Sequence, residues 1–269
     1  MAACVITITS GKGGVGKTTT TANLGVALAR RGKRVACLDA DIGLRNLDVV
    51  MGLENRIVYD IVDVVEGRAR LRQALIKDKR LPELQMLPAA QTRDKSAVNP
   101  EQMVKLVSDL RKDFDFILID SPAGIEHGFK NALAPADRTL IVTTPEVSAV
   151  RDADRIIGLV EAAEKTTPQL IINRLRPSMV KRGDMLDTAD VLEVLSIDLL
   201  GIVPEDEGII TSTNRGQPVA FEERTPAGQA YGRIAQRLLG QDVPFAVFQE
   251  SDNLFTRMSR WFRGDNREP

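Results

Sequence analysis

A glycine-rich run near the N-terminus has the spacing of a phosphate-binding loop. The run is Gly11-Lys12-Gly13-Gly14-Val15-Gly16-Lys17-Thr18, a glycine followed by four residues and then Gly-Lys-Thr. Glycines let backbone N–H groups converge on phosphate oxygens, and a following helix adds a favourable partial positive charge. In such a loop Lys17 reaches the β- and γ-phosphates, and the Thr18 hydroxyl binds Mg²⁺. The alternative is an ordinary glycine-rich turn.

Three aspartates follow apolar runs and are candidates for magnesium chemistry. Asp39 and Asp41 end the run after Leu38, and in an extended chain their side chains point to the same side. Asp120 ends the continuously apolar run 116–119, which is how a Walker B carboxylate is placed to bind Mg²⁺. Four residues later, Gly124 can offer a backbone N–H to the γ-phosphate. The alternative is a set of solvated aspartates in turns.

The residues that would recognise the base are harder to identify. GTP-binding proteins of the Ras type carry an Asn-Lys-x-Asp run, which this sequence lacks. Asn173 and Arg174 instead end an apolar run. An asparagine amide can pair with the adenine edge, and an arginine can stack on a ring. A capping asparagine and a surface arginine explain the pair equally well.

These residues need a scaffold, and the alternation of short β-branched runs with longer helical patterns predicts one. We predict strands at Cys4–Thr9, Arg34–Asp39, Leu84–Leu87, Phe114–Asp120, Thr139–Thr143, Gln169–Asn173 and Asp198–Val203. We predict helices at Thr18–Arg31, Pro100–Arg111, Val147–Ala163, Thr188–Leu195 and Pro226–Leu239. The fold class is therefore α/β, with one doubly wound, mostly parallel sheet of the P-loop NTPase kind.

Composition excludes several other classes of protein. The 269 residues include 36 Lys and Arg against 37 Asp and Glu, a net charge of −1 that argues against coating nucleic acid by bulk charge. The two cysteines, Cys4 and Cys37, lie in strand-like runs and are interpreted as core thiols rather than metal ligands. The N-terminus lacks the pattern of a signal peptide, and no run of ~18 apolar residues predicts a spanning helix.

The C-terminal segment has a different pattern. At ~100° per residue, its large apolar side chains fill one arc about 120° wide, flanked and opposed by arginines. The apolar residues are Leu254, Phe255, Met258, Trp261 and Phe262, and the arginines are Arg257, Arg260 and Arg263. Such a helix, about 16 Å long, is too short to span a bilayer but can lie in the interface of an anionic membrane. We predict an ATPase domain at 1–240, a linker at 241–252, this amphipathic helix at 253–264 and a disordered end at 265–269. A helix docked on its own domain is the alternative.

The loop, with its additional lysine, resembles the deviant Walker A motif of the MinD/ParA family of ATPases. The match includes Lys12 to Thr19, residues 38–41, residues 120–124 and Asn173-Arg174, and it extends over nearly the whole chain. The resemblance implies that ATP and Mg²⁺ are the cofactors. It also implies that Lys12 crosses a dimer interface, that Asp41 positions the attacking water and that Asp39 belongs to the magnesium shell. Asn46 matches a position near the nucleotide, and Pro204-Glu205-Asp206 matches the loop over the adenine.

The resemblance also implies partners. The segment from Glu146 to Arg155 resembles the helix that recruits the division inhibitor MinC, with Ser148, Asp152 and Asp154 at the matching positions. The expected function is an ATP-hydrolysing dimerisation switch that attaches to the inner membrane from the cytoplasm, recruits MinC and controls septum placement. MinE would stimulate an otherwise slow hydrolysis. Two tails on one dimer would bind lipid with higher avidity than one.

Three alternatives remain open at the level of sequence. A ParA-type ATPase that positions DNA or cargo would need a local basic surface. A metal-cluster ATPase like the nitrogenase iron protein would need bridging cysteines at a dimer axis. A nucleotide-dependent filament scaffold would hydrolyse ATP only incidentally.

Overall fold

A single mostly parallel sheet forms the centre of the protein. The computed structural model describes residues 3–125, 127–163 and 167–246. The strands are β1 (Cys4–Thr9), β2 (Val35–Asp39), β3 (Ile76–Lys77), β4 (Leu84–Leu87), β5 (Phe116–Asp120), β6 (Arg138–Thr143), β7 (Gln169–Leu175) and β8 (Asp198–Pro204). They lie in the order β3-β4-β2-β5-β1-β6-β7-β8.

The strand directions confirm the predicted doubly wound sheet. β3 is antiparallel to β4, and the other neighbouring strands are parallel. β2, β4 and β5 lie on one side of β1, and β6, β7 and β8 lie on the other. Ligands of open α/β folds bind at the carboxyl ends of the strands near such a switch in direction. The sequence did not predict β3, because two residues are too few to show a period.

Helices connect the strands and cover both faces of the sheet. The α-helices are α1 (Lys17–Ala29), α2 (Leu47–Met51), α3 (Ile61–Val65), α4 (Leu71–Ala74), α5 (Pro100–Leu110), α6 (His127–Leu133), α7 (Val147–Ala162), α8 (Pro177–Arg182), α9 (Thr188–Leu195), α10 (Glu207–Asn214) and α11 (Pro226–Leu238). Short 3₁₀ turns lie at Glu54–Arg56, Lys95–Ala97 and Val219–Phe221. α5 begins with a capping box between Asn99 and Gln102, and α9 with one between Asp187 and Asp190.

The core has two sides because side chains alternate across each strand. Ile6 and Ile8 of β1 pack towards α1 and α11, whereas Val5 packs towards α5. Helix α1 is buried on almost all of its faces, because no side of the helix is distinctly polar. Cys37 is a buried core thiol as predicted, whereas Cys4 is only partly buried. The continuously apolar strands thus reflect helices on both faces.

Several predicted boundaries shift by one or two residues. β5 begins at Phe116 rather than Phe114, because the Phe114 N–H still bonds to Leu110 at the end of α5. α1 ends at Ala29 rather than Arg31, because the Arg31 N–H bonds three residues back and Gly32 then turns at φ +74°. β7 continues to Leu175, and β8 to Pro204. The carboxyl ends of the parallel strands still lie on one edge, where the predicted site residues belong.

Candidate active site

The phosphate loop connects β1 to α1, as predicted. Gly14 and Gly16 have φ values of +79° and +101°, which side chains rarely adopt, and Gly16 is the N-cap of α1. The side chain of Val15 is buried and anchors the loop in the core. Ser10 also fixes the loop, since its hydroxyl donates to the Lys12 carbonyl at 2.8 Å. The loop therefore has the backbone freedom and the helix N-terminus that a phosphate group requires.

Lys17 is a cation held in a buried position beside carboxylates. The residue is only 8% exposed. Burial lowers the pKa of its ammonium, while the charges of Asp120 and Asp41 raise it. A buried ammonium is stabilised by anionic neighbours. Phosphate oxygens would supply that negative charge from the side of the loop.

Asp39 and Asp120 form a buried pair at the ends of two adjacent strands. They are direct register partners of β2 and β5, and both are almost fully buried. Burial raises the pKa of both carboxyls, and the charge of Asp39 raises that of Asp120 further. Hydroxyl groups of Thr18 and Thr21 donate to Asp120, the latter at 3.3 Å. Two desolvated carboxylates beside threonine hydroxyls are the donor set of a hard divalent cation such as Mg²⁺.

The Asp39 carboxylate also has a structural role that the sequence did not suggest, because it accepts hydrogen bonds from the backbone that follows it. Its Oδ1 accepts the Asp41 N–H at 2.9 Å, and its Oδ2 accepts the N–H groups of Asn46 and Leu47 at 3.1 Å. It therefore holds the segment between β2 and α2. Its predicted place in a magnesium shell stays a prediction. The local sequence pattern does not distinguish a carboxylate that binds a metal from one that accepts hydrogen bonds from a loop. The three N–H groups reach Asp39 only because the segment between β2 and α2 turns back towards it.

Asp41 and Gly124 lie at the phosphate end of the site. Asp41 is half-buried, and burial raises the pKa of its carboxyl against the opposing charges of Lys17 and Lys95. The N–H of Gly124 lies 3.4 Å from the Ser10 carbonyl, a long bond that an incoming acceptor can replace. The position of Asp41 is compatible with its predicted role of orienting the attacking water. The position of Gly124 is compatible with its predicted role of donating its N–H to the γ-phosphate.

Asn173, a predicted base-binding residue, lies against the phosphate loop. It is 2% exposed, and its Nδ2 donates to the Val15 carbonyl at 2.8 Å. A Cβ at Gly16 would collide with the same amide, so the side chain lies directly on the loop. Its Oδ1 is buried without a hydrogen-bond donor among the described residues. A free buried acceptor suits the exocyclic amine of adenine and not the carbonyl of guanine.

The remaining base-site candidates lie at the carboxyl ends of β7 and β8. Arg174 has φ +57° and lines a cavity of about 730 Å³ together with Glu205 and Arg176. Asp206 caps α10 through the Gly208 N–H and also accepts the Ala227 N–H. Pro204 ends β8, so the loop 204–206 is fixed at both ends. Its position over an adenine ring stays a prediction.

Lys12 points away from the phosphate loop, towards α7. Its Nζ lies 3.2 Å from the Ser148 hydroxyl and 3.9 Å from a Glu146 carboxylate oxygen. Gly11 packs so closely on α7 that a Cβ there would collide with the Asp152 carbonyl. The structure thus brings the phosphate loop against two of the three predicted partner-binding residues, since Lys12 contacts Ser148 and Gly11 packs on Asp152. Asp154 is exposed one turn beyond Val150.

The predicted membrane segment lies outside the described residues. Leu254, Phe255, Met258, Trp261, Phe262, Arg257, Arg260 and Arg263 all belong to the range 247–269. Of the predicted linker, residues 241–246 are described. Within the described ranges, no helix combines the length and the hydropathy needed to cross a bilayer.

Comparison with known proteins identifies the family. The CobQ/CobB/MinD/ParA nucleotide binding domain matches residues 6–219. The septum site-determining protein MinD of Bacillus subtilis is 58% identical over 249 residues, covering 92% of this chain and 93% of that protein. The chain belongs to the MinD/ParA family of P-loop ATPases. The predicted fold and family are thereby confirmed.

Two solved structures extend the comparison. A MinC:MinD cell division protein complex from Aquifex aeolicus gives a TM-score of 0.86 at 51% identity, covering 92% of this chain and all of that one. MinD from Pyrococcus horikoshii, solved with Mg-ADP, gives 0.78 at 30% identity, covering 88% of this chain and 96% of that one. ATP and Mg²⁺ are confirmed as the cofactors by the family, and the donor set described above fits them. Bound there, Mg²⁺ would neutralise phosphate charge between Thr18, Asp120 and the loop.

Proposed function

We propose that this protein is an ATP-dependent dimerisation switch that controls septum placement. With ATP bound, two copies pair, attach to the cytoplasmic face of the inner membrane through 253–264, and recruit a MinC-type division inhibitor through α7. A MinE-type partner stimulates hydrolysis and releases the protein. Hydrolysis by the chain alone is slow, because the site offers only the partly buried carboxylate of Asp41 to orient water.

The observation that carries the proposal is the contact between the phosphate loop and α7. Lys12 is 3.2 Å from Ser148, and Gly11 lies against the Asp152 carbonyl. A conformational change of the phosphate loop on nucleotide binding would therefore alter the α7 surface that is predicted to recruit the inhibitor. The cost of breaking the Lys12 contacts is small because both ends are exposed, so the contact suits a switch. The Aquifex MinC:MinD complex supports the identity of the partner.

Lys12 also has the chemistry needed for catalysis across a dimer. Its ammonium is exposed and makes only solvent-accessible contacts, so it is available to a second chain. A cation supplied from a partner would neutralise charge that builds on the transferred phosphoryl group. Hydrolysis would then require two chains. The dimer would form when ATP is bound and would persist until that ATP is hydrolysed.

Vesicle sedimentation tests the switch directly. We expect the protein to sediment with phosphatidylglycerol vesicles in Mg·ATP and to remain in the supernatant in Mg·ADP. Removal of residues 253–269 should abolish sedimentation and leave ATP binding unchanged. Equal sedimentation in both nucleotides would refute the coupling. Sedimentation with DNA instead of vesicles would favour the ParA-type alternative.

Recruitment is tested on the same vesicles with purified MinC. Asp154→Ala removes an exposed carboxylate from α7, and we expect it to abolish MinC co-sedimentation while the ATPase itself still sediments. Glu161→Ala, an exposed position two turns further along the same helix, is the matched control and should recruit normally. Loss of recruitment in both variants, or in neither, would contradict the assignment of this surface.

A further inference from the structure

A basic cavity lies at the end of the fold opposite the nucleotide site. It has a volume of about 490 Å³ and is lined by Arg31, Lys33, Gln236, Leu239 and Gln241. Arg31 and Lys33 follow the C-terminus of α1, and the other three residues end α11. Two cations and two amides line it, with no carboxylate among these five residues. The lining therefore offers N–H donors and positive charge, which suit an anionic phosphate.

The two cations differ in how they are held. Arg31 Nη1 donates to the Ala27 carbonyl at 2.8 Å, and the absence of a side chain at Gly232 leaves room for the guanidinium against α11. Arg34 and, more weakly, the charge of Lys33 lower the pKa of Asp115, which accepts the backbone N–H and the guanidinium of Arg34. Arg34 is thus the hydrogen-bonding partner of Asp115, and among the described residues the Lys33 ammonium has no hydrogen bond or ion pair of its own.

The last described residues of the chain lie beside the same end of the fold. Arg237 of α11 donates 2.9 Å hydrogen bonds to the carbonyls of Leu200, Val243 and Pro244. Its guanidinium also stacks 4.0 Å from the ring centroid of Phe245. These contacts fix residues 243–245 beside the basic cavity. Phe245 is 45% exposed, an aromatic side chain presented to solvent next to cations.

The distance between this point and the predicted membrane segment is limited by chain length. Seven residue steps separate Ala246 from Asn253, which span at most about 25 Å. When 253–264 binds a bilayer, the end of the fold that carries the cavity is therefore held close to the same bilayer. Anionic headgroups would be the nearest source of phosphate for Arg31 and Lys33.

We propose that this end of the folded domain is a second lipid-binding surface, in which Arg31, Lys33, Gln236 and Gln241 bind an anionic headgroup phosphate and Phe245 enters the membrane interface. The inference depends on the proposed membrane attachment through 253–264. It adds a contact that orients the domain on the bilayer.

The test is the affinity of the full-length Mg·ATP form for vesicles. A cation near an anionic surface contributes about fivefold to affinity, so Lys33→Gln should weaken binding to phosphatidylglycerol vesicles about fivefold per chain. Arg31→Gln with Lys33→Gln should weaken it about 30-fold. Lys105→Gln, an exposed position on α5 on the other face of the sheet, is the matched control and should bind as the parent does.

Hydrogen exchange separates a direct contact from an effect on folding. Vesicles should protect the backbone amides of 31–34 and 240–243 in the parent and less so in Lys33→Gln. Unchanged affinity would overturn the proposal, and so would a lowered Tm without loss of affinity. Arg31 and Lys33 would then serve only to interact with the partial negative charge at the C-termini of α1 and α11. Equal protection by inorganic phosphate alone would also overturn it, in favour of a soluble anion. If the parent fails to bind vesicles, the proposed membrane attachment fails instead.

Discussion

Replacing Asp120 by asparagine should stabilise the nucleotide-free protein while removing its magnesium chemistry. The carboxylate is fully buried beside Asp39, and burial and that neighbouring charge raise its pKa to about 7 from an ordinary value of 3.8. One pKa unit corresponds to about 1.4 kcal/mol, so the ionised side chain costs the fold roughly 4 kcal/mol at most. The variant avoids this cost because its amide carries no charge.

The net gain is smaller than the full electrostatic cost. An asparagine keeps an acceptor for the Thr21 hydroxyl but introduces an NH₂ group, and a buried donor without a partner costs about 1–3 kcal/mol. We therefore expect Asp120→Asn to raise the free energy of unfolding by about 1–3 kcal/mol at pH 8. For a chain of this size, that raises Tm by about 3–10 °C.

The pH dependence of the difference provides the sharper test. The folded-state pKa of Asp120 lies above the unfolded value, so this carboxyl favours folding below about pH 4 and loses that contribution as pH rises through about 7. The advantage of Asp120→Asn should therefore be largest at pH 8 and vanish towards pH 4. The assay is thermal unfolding without nucleotide or Mg²⁺, followed by circular dichroism.

A control and a second measurement complete the experiment. Asp109→Asn removes an exposed carboxylate that pairs with Lys112 at 2.7 Å on α5, and it should not raise Tm. Added Mg·ATP should raise the Tm of the parent more than that of Asp120→Asn, because the variant loses the carboxylate that we propose binds Mg²⁺. A Tm for Asp120→Asn below that of the parent at pH 8 would refute the reasoning about buried repulsion.

Three further predictions concern the loop, the base and the lysine. Gly16→Ala should lower Tm and abolish binding of a fluorescent ATP analogue, because φ is +101° and the new Cβ would meet the Asn173 amide. The control is Gly32→Ala, which is also at positive φ but has open space around it. This control should lower Tm and still bind the analogue. Asn173→Leu should reduce the preference for ATP over GTP by about tenfold in competition binding, because it removes the free buried acceptor, and an unchanged preference would assign base recognition elsewhere. Lys12→Met should retain ATP binding by calorimetry and lose at least about 100-fold in the MinE-stimulated rate of phosphate release, whereas undiminished release would exclude Lys12 from catalysis.

Each element that the sequence predicted within the described residues is present in the structure with bounds that agree to within two residues. β1, β4 and α9 have the predicted bounds, since β-branched runs and capping residues mark them locally. The short helices α2, α3, α4, α6, α8 and α10 were not predicted. Each has eight residues or fewer and too little periodicity to distinguish it from a loop, whereas α9, which is as short as α10, is marked by its capping residues and apolar pattern.

By itself the sequence determined that the protein binds a nucleotide phosphate at the end of a parallel strand, because the loop, its lysine and the carboxylates are read from local spacing. It also determined the family. Only the tertiary structure decided what those groups touch. Asn173 reaches Val15 over 158 residues and Lys12 reaches Ser148 over 136, contacts created by strand order alone. The structure also gave Asp39 its structural role and placed the basic cavity beside the point where the chain leaves α11. Burial and long-range packing, which set these contacts and the pKa values of the carboxyls, have no local signature in a sequence.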